Sequence, residues 1–260
     1  MKIYLNGTII EEQQAVVSAY DHGFLYGMGL FETFRTYGGE PFLLERHLQR
    51  MAGGCRELGI RYTPDPAEVR GITADLLRTN GLQDAYFRFT VSAGPGLLGL
   101  PAGEYESPQV IMYVKALPAP DPRLDAEGRP LQPLRLRRNT PEGEVRLKSL
   151  HYMNNILAKR ESQGYASAAL GAEGLLFGPS GKGLGRDREQ RLFHPGRSPW
   201  YTLARNRNLA GNYAALCHGI GRRSGTCRRG RALPLGTPGR GRRSIPHEFR
   251  SGDCTGHLLV

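Results

Sequence analysis

The chain has 260 residues, 39% of them hydrophobic, which is enough for one or two folded domains and too apolar for a disordered protein. No apolar run approaches the roughly 20 residues of a membrane span, and Met1–Asn6 lacks the basic start of a secretory signal, so neither is expected. The net charge of +11 is not spread: residues 1–182 hold 20 basic and 20 acidic side chains, and residues 183–260 hold 15 Arg, no Lys and 4 acidic ones.

Lys2–Asn6 alternates as a short strand into an Asn6-Gly7 turn, and Phe31–Tyr37 forms a second strand closed by Gly38-Gly39, a hairpin signal. From Leu44, the positions Leu44, His47, Leu48, Met51, Cys55 and Leu58 recur at helical spacing until Gly59. A second helix is marked by Asp65 as N-cap, Pro66 in the first turn, an apolar face of Val69, Ile72, Leu76 and Leu77, and Asn80-Gly81 as terminator. Ala85–Ser92 and Val110–Leu117 read as strands, separated by a loop that opens with Gly94-Pro95-Gly96.

Five prolines within 118–133 predict a linker between an α/β domain of residues 1–117 and a second domain beginning at 134. In that second domain Leu134–Arg138 reads as a strand and Ser149–Gln163 as a helix with Leu150, Met153, Ile156 and Leu157 inward. Ala168–Phe177 reads as another strand, running into a turn over 178–181. Beyond Lys182 the periodicity disappears. With Cys55 alone in the first two thirds, no disulfide framework is expected, which suits a reducing cytosol.

Three basic residues stand out. Lys148 lies at a predicted strand-to-helix junction with basic neighbours, where a lysine amine could be held neutral and nucleophilic; on spacing alone a solvated surface charge is the favoured reading. Arg50 shares a helical face with His47, which fits a snorkelling arginine beside a half-buried histidine. Arg88 sits among Tyr86, Phe87 and Phe89 in a strand, where an unpaired guanidinium is costly, so it either faces solvent or binds an anion.

The segment Ser18-Ala19-Tyr20-Asp21-His22-Gly23-Phe24-Leu25-Tyr26-Gly27-Met28-Gly29-Leu30-Phe31-Glu32-Thr33-Phe34-Arg35 resembles the opening of the class-IV pyridoxal-phosphate aminotransferases. Arg137-Arg138-Asn139-Thr140-Pro141-Glu142-Gly143, then Arg146-Leu147-Lys148-Ser149, Tyr152, Asn154-Asn155 and Ala158-Lys159-Arg160-Glu161, is similar to the lyase branch of that family, whose members act on 4-amino-4-deoxychorismate. The resemblance covers most of residues 1–182. It implies the two-domain α+β fold of the D-amino acid and branched-chain aminotransferases, pyridoxal 5'-phosphate as cofactor, a small-molecule substrate, a homodimer and a cytoplasmic location. It implies Lys148 as the catalytic lysine that forms a Schiff base with the cofactor and shuttles a proton, and Arg50 as the holder of the cofactor phosphate. Tyr26 and Arg88 match positions bordering the substrate pocket. The implied reaction gives 4-aminobenzoate and pyruvate, on the route to folate; a transaminase for branched-chain or D-amino acids is the alternative on the same scaffold.

Beyond Lys182 the resemblance stops. The family's Glu-Gly-x-x-Ser-Asn strand, its Gly-Ile-x-x-Gly-Ile-Thr-Arg phosphate turn and its Thr-Asn-Ser are missing from the written sequence. Codons for Gly183–Pro195 and the glycine after it, shifted forward by one base, permit Val-Ser-Glu-Gly-Thr-Val-Ser-Asn-Val-Phe-Phe-Ile-Arg. Likewise Arg207–Ala214 permits Gly-Ile-Leu-Pro-Gly-Ile-Thr-Arg, and Arg242–Gly256 permits a stretch with Thr-Asn-Ser. Three family motifs in order, in one frame, point to a one-base frameshift near Lys182, so residues 183–260 are expected to be an out-of-frame basic tail without native-like packing. A nucleic-acid-binding tail is the competing reading, disfavoured because aromatics do not interleave the arginine clusters. Cys217, His218, Cys227 and His257 lack zinc-site spacing, so no metal is expected.

Overall fold

The computed structural model describes residues 1–119 and 130–178, with the main chain alone of 183–186, 192–193 and 200–201. The chain divides into two compact units, the first made of Met1–Pro118 together with Leu147–His151.

The first unit is a six-stranded antiparallel sheet with two long helices on one face. Its strands are β1 (Lys2–Leu5), β2 (Thr8–Glu11), β3 (Gly29–Tyr37), β4 (Glu40–Pro41), β5 (Ala85–Ser92) and β6 (Gln109–Ala116), in the order β2-β1-β6-β5-β3-β4. Both predicted hairpin turns form. Asn6 and Gly7, then Gly38 and Gly39, carry positive φ, the geometry of the two-residue turns whose twist matches paired strands. Between strands β2 and β3 lies α1 (His22–Tyr26), and between β4 and β5 lie α2 (Leu44–Glu57) and α3 (Pro66–Thr79). The Asp65 carboxylate accepts from Ala67 N–H at 3.0 Å and Pro66 opens α3, so that helix starts where the capping residues place it.

Period-two alternation decides what each face of β3 and β5 meets. Leu30, Phe34, Phe87, Phe89 and Val91 join Met112 and the apolar stripes of α2 and α3 in one core, in which the rings of Phe34 and Phe87 stack at 5.4 Å. Phe31, Thr33 and Arg35 point to the other face.

The second unit contains β7 (Leu131–Arg137), α4 (Met153–Gln163), β8 (Glu173–Phe177) and β9 (Gly183–Arg186). β7 and β8 are parallel, joined through α4, and β9 adds antiparallel to β8. Leu134, Ala158 and Leu176 form its small core.

Five expectations need correction. β7 begins at Leu131, inside the predicted linker, because Pro133 is tolerated on an edge strand. The helix begins at Met153 and not Ser149, because the residues ahead of it pair with β3. Its inward side chains are Asn155, Ala158 and Ser162, whereas Met153, Ile156 and Leu157 are exposed; small and polar residues let the helix approach the strands closely. Ala166–Leu170 is a 3₁₀ turn, and the following strand starts only at Glu173 after the left-handed Gly171. Short strands also occur past Lys182, at Gly183–Arg186, Leu192–Phe193 and Trp200–Tyr201, where no element was predicted; a ladder is made by main-chain groups and needs no side-chain period. The expectations for the rest of 183–260, including packing and the cysteine and histidine positions, lie outside the described residues.

Candidate active site

The segment Leu147–His151 is laid along the first residues of β3. Phe31 N–H donates to the Lys148 carbonyl at 2.9 Å and Leu150 N–H to the Gly29 carbonyl at 3.0 Å, with Leu30 and Ser149 paired antiparallel. Gly29 makes this possible, because a Cβ there would stand 2.7 Å from both Leu150 Cδ1 and the Val91 carbonyl oxygen. One residue beyond the ladder, His151 Nε2 donates to the Tyr26 carbonyl at 2.8 Å, and its ring lies over Gly27, the left-handed residue that ends α1. Lys148 is thereby tied to β3 through its own carbonyl and, two residues on, through Leu150 N–H.

Its side chain, half-buried, runs to the outer face of β3, where the ammonium stands 4.9 Å from the Phe31 ring centroid. The Arg88 guanidinium, from the neighbouring strand β5, lies over the same ring at 3.6 Å. The Arg88 guanidinium thus rests on a buried phenyl ring.

Glu32, the next residue of β3, points the other way. Its carboxylate is 2% exposed and takes Arg50 Nε at 2.5 Å, Arg50 Nη2 at 2.6 Å and His47 Nδ1 at 2.8 Å. Burial by itself would raise this carboxyl, but the hydrogen bonds and charges of Arg50 and His47 outweigh it and hold the group below its ordinary value. His47 Nε2 is buried without a hydrogen-bond partner, so the stable form carries its proton on Nδ1, facing Glu32. Arg50 is therefore a forked ion pair rather than a snorkelling side chain.

Tyr26 is held by the β5–β6 loop, its hydroxyl accepting from Gly99 N–H at 2.9 Å. Beneath it the buried His22 donates from Nε2 to the Leu97 carbonyl at 2.9 Å and accepts at Nδ1 from the Tyr105 hydroxyl at 3.1 Å. Asp21 caps α1 through Gly23 N–H at 2.7 Å and takes the Ser92 hydroxyl. Of the four residues singled out from the sequence, Lys148 and Arg88 meet over Phe31, Arg50 lies on the opposite face of the same strand, and Tyr26 is joined to the Lys148 segment through His151.

Glu32, Phe31 and His151 were missed. Glu32 had a readable signal: a carboxylate in register with Leu30 and Phe34 on a core-facing strand must find a cation, and His47 and Arg50 are one turn apart on the next helix. In the second unit, Arg138 Nη1 donates to Asn154 Oδ1 at 3.1 Å and Asn155 Oδ1 at 2.5 Å, and Arg146 Nη1 to Asn139 Oδ1 at 3.1 Å. Burial, then the nearby Arg146 charge, pushes Arg138 down to about 10. Asparagines satisfy these guanidiniums where carboxylates would be usual. Among the described residues no group of His, Cys, Asp or Glu could hold a metal ion, and no helix is long and apolar enough to cross a membrane.

A family model described as amino-transferase class IV matches residues 29–182. The aminodeoxychorismate lyase of Bacillus subtilis (strain 168) is 46% identical over 161 residues, 61% of this chain and 54% of that protein. A putative branched-chain-amino-acid aminotransferase of Methanocaldococcus jannaschii is 38% identical over 160 residues, again 61% of this chain and 54% of that protein. The crystal structure of 4-amino-4-deoxychorismate lyase from Pseudomonas aeruginosa is similar with a TM-score of 0.73 at 27% identity, covering 87% of this chain and 80% of that one. The chain spans about half the length of the curated relatives it matches.

Proposed function

Because the chain belongs to the class-IV aminotransferase family, whose members depend on pyridoxal phosphate, we propose that it is an aminodeoxychorismate lyase with Lys148 as its catalytic residue. The observation that carries the reading is the placement of Lys148: its carbonyl is bound to β3 and its amine lies against the Phe31 ring, on which Arg88 also rests.

The donor set fits the cofactor. An aldehyde needs a positioned amine, which Lys148 supplies, and a phosphate needs a guanidinium fork. Arg50 gives two N–H donors to Glu32, and that pair orients the guanidinium. When bound, the cofactor supplies an aldehyde and an electron-withdrawing ring that stabilises negative charge at the substrate carbon bearing the amine.

The protein's part is then proton transfer and orientation. Lys148 as a free base takes the proton from that carbon, the enolpyruvyl oxygen leaves with its electron pair, and the ring becomes aromatic. Protonation of the departing three-carbon unit completes 4-aminobenzoate and pyruvate. Arg88 offers a permanent positive charge on the same face for a substrate carboxylate, and Tyr26 a hydroxyl beside the β5–β6 loop. Glu32 and His47 keep the phosphate-facing arginine from swinging.

The 46% identity to the Bacillus subtilis lyase, against 38% to the branched-chain enzyme, favours lyase over transaminase. The transaminase reading keeps the same lysine. The match to the family model ends at residue 182, where the basic tail begins, which supports the frameshift and with it impaired activity in the chain as written. The test is a chain with the downstream frame restored, assayed for 4-aminobenzoate formation and for 2-oxoacid amination. Lyase turnover that disappears with Lys148→Ala is the expected result. Amination alone selects the transaminase, and full lyase turnover by Lys148→Ala overturns the assignment.

A further inference from the structure

Position 47 lies on the apolar stripe of α2 among Leu44, Leu48, Met51 and Cys55, each at most 3% exposed, yet it holds a histidine. A leucine would serve the core at lower cost, because the buried His47 Nε2 has no hydrogen-bond partner and such an atom is expensive to take out of water. What the imidazole adds is one N–H: Nδ1 donates to Glu32 Oε2 at 2.8 Å. The Phe34 ring lies 5.9 Å from the imidazole and itself stacks on Phe87, so packed core side chains hold that N–H on its acceptor.

Glu32 Oε1 and Oε2 take Arg50 Nε and Nη2 at 2.5 and 2.6 Å, which joins carboxylate and guanidinium into one flat unit but leaves that unit able to pivot on its two side chains. The bond from His47 removes the pivot. It ties Glu32 to α2 one turn ahead of Arg50, closing a triangle with two corners on the helix and one on β3. Side-chain exposure is 2% for Glu32, 3% for His47 and 19% for Arg50, so an anion arriving from solvent meets the guanidinium and neither group behind it. We propose that His47 is a positioning residue for Arg50, fixing through Glu32 the plane in which the guanidinium meets a phosphate. This rests on the reading of Arg50 as the holder of the cofactor phosphate. The restraint then depends on one proton, that on His47 Nδ1, and the Glu32–Arg50 pair alone does not supply it.

The experiment is NMR on the full chain, isotope-labelled in nitrogen and without cofactor, following hydrogen exchange of the Arg50 Nε–H and the ring nitrogens of His47. His47→Leu keeps the stripe apolar and removes the N–H; it is expected to speed Arg50 Nε–H exchange by at least about tenfold, the loss of a hydrogen bond to a charged group, while the backbone amides of Leu48 and Met51 keep their rates. His47→Asn carries an amide nitrogen where Nδ1 stands and should stay within about threefold of wild type, whereas His47→Gln sets its nitrogen one bond farther out and should behave like His47→Leu. Titration with inorganic phosphate, against chloride at equal ionic strength, is expected to shift the Arg50 signal in the wild type and to need about three- to tenfold more phosphate in His47→Leu.

The wild type alone keeps the test decisive if a variant does not fold: its His47 spectrum should show the proton on Nδ1, and a proton on Nε2 with Nδ1 bare overturns the proposal. So does an unchanged Arg50 Nε–H rate in His47→Leu, equal acceleration at the Leu48 and Met51 amides, which would mean a loosened helix, or rescue by glutamine and not by asparagine. The phosphate series reads the cofactor role separately. An Arg50 signal indifferent to phosphate in the wild type, with exchange that still responds to His47→Leu, removes the phosphate from Arg50 and leaves His47 as its anchor; a phosphate response that His47→Leu does not weaken removes His47's role and leaves the arginine's.

Discussion

Phe31 and Glu32, consecutive on β3, hand the two basic residues of the candidate site to opposite faces of one strand: the phenyl ring carries Lys148, and the carboxylate carries Arg50. The alternation of a β-strand is thus the ruler that separates amine from guanidinium. Any change that slips β3 by one residue would exchange the two faces and dismantle both contacts.

Glu32 makes stability depend on acidity in a defined direction. Its folded carboxyl sits below its ordinary value, so the stabilisation is complete above the unfolded pKa of about 4.3 and is lost as pH falls through the folded value. Glu32→Gln should cost on the order of 3 kcal/mol at neutral pH, because Arg50 and His47 keep their burial and lose their anion. Denaturant unfolding at several pH values checks this: the gap between wild type and variant should narrow as pH drops below 4. A gap that stays constant down to pH 3 would remove the ion pair as its cause.

Gly27 has two reasons to be glycine, and a double-mutant cycle separates them. Its φ of +72° is left-handed, and a Cβ there would fall on the His151 ring. Gly27→Ala should destabilise by about 1–2 kcal/mol from backbone conformation alone, with a further loss from displacing His151. In a His151→Ala background only the backbone part should remain. Thermal unfolding of the four proteins reads the coupling, and strict additivity would mean that the imidazole does not pin the Lys148 segment to α1.

How much of this was visible in the sequence depends on whether local chemistry or assembly decides the feature. The Asn6-Gly7 and Gly38-Gly39 hairpins, the Asp65-Pro66 start of α3 and the limits of β5 follow from turn and capping residues, and the structure places them as read. Ser149–Tyr152 looked helical because Leu150 and Met153 fit a helical period, yet this stretch is claimed by the free edge of β3, a partner more than 100 residues earlier. No local signal announces such a pairing. The ring beneath Arg88 belongs to Phe31, diagonal to it across the β3–β5 pair in which Arg88 faces Thr33, and that neighbour is legible only once the register is known.

Tyr26 should act on the β5–β6 loop as much as on any substrate. Its hydroxyl accepts from Gly99 N–H, while the Gly96 N–H donates to the Tyr20 carbonyl at 3.1 Å and does not depend on that hydroxyl. Tyr26→Phe is expected to speed hydrogen exchange at Gly99 by about fivefold, matching one hydrogen bond of roughly 1 kcal/mol, and to leave Gly96 nearly unchanged. Equal acceleration at both amides would show that the loop opens as one piece and that the tyrosine hydroxyl is not a separate tether.

The written chain and a frame-restored chain should differ most in cofactor affinity. On the proposed assignment, residues 1–182 retain Lys148 for the cofactor's aldehyde and the Glu32-oriented Arg50 for its phosphate, and these two residues would hold only its two ends. The pyridine nitrogen needs a carboxylate to stay protonated, and the phosphate needs main-chain donors beyond one guanidinium; the written sequence past Lys182 supplies neither of the family's motifs for these tasks. Titration with pyridoxal phosphate, followed by the absorbance of the lysine-bound form, should give weak and non-saturating binding in the written chain. The restored chain should bind stoichiometrically, with a signal abolished by Lys148→Ala. A stable band at one equivalent of cofactor in the written chain would mean that residues 183–260 do the work of the missing motifs, and the frameshift would have to be abandoned.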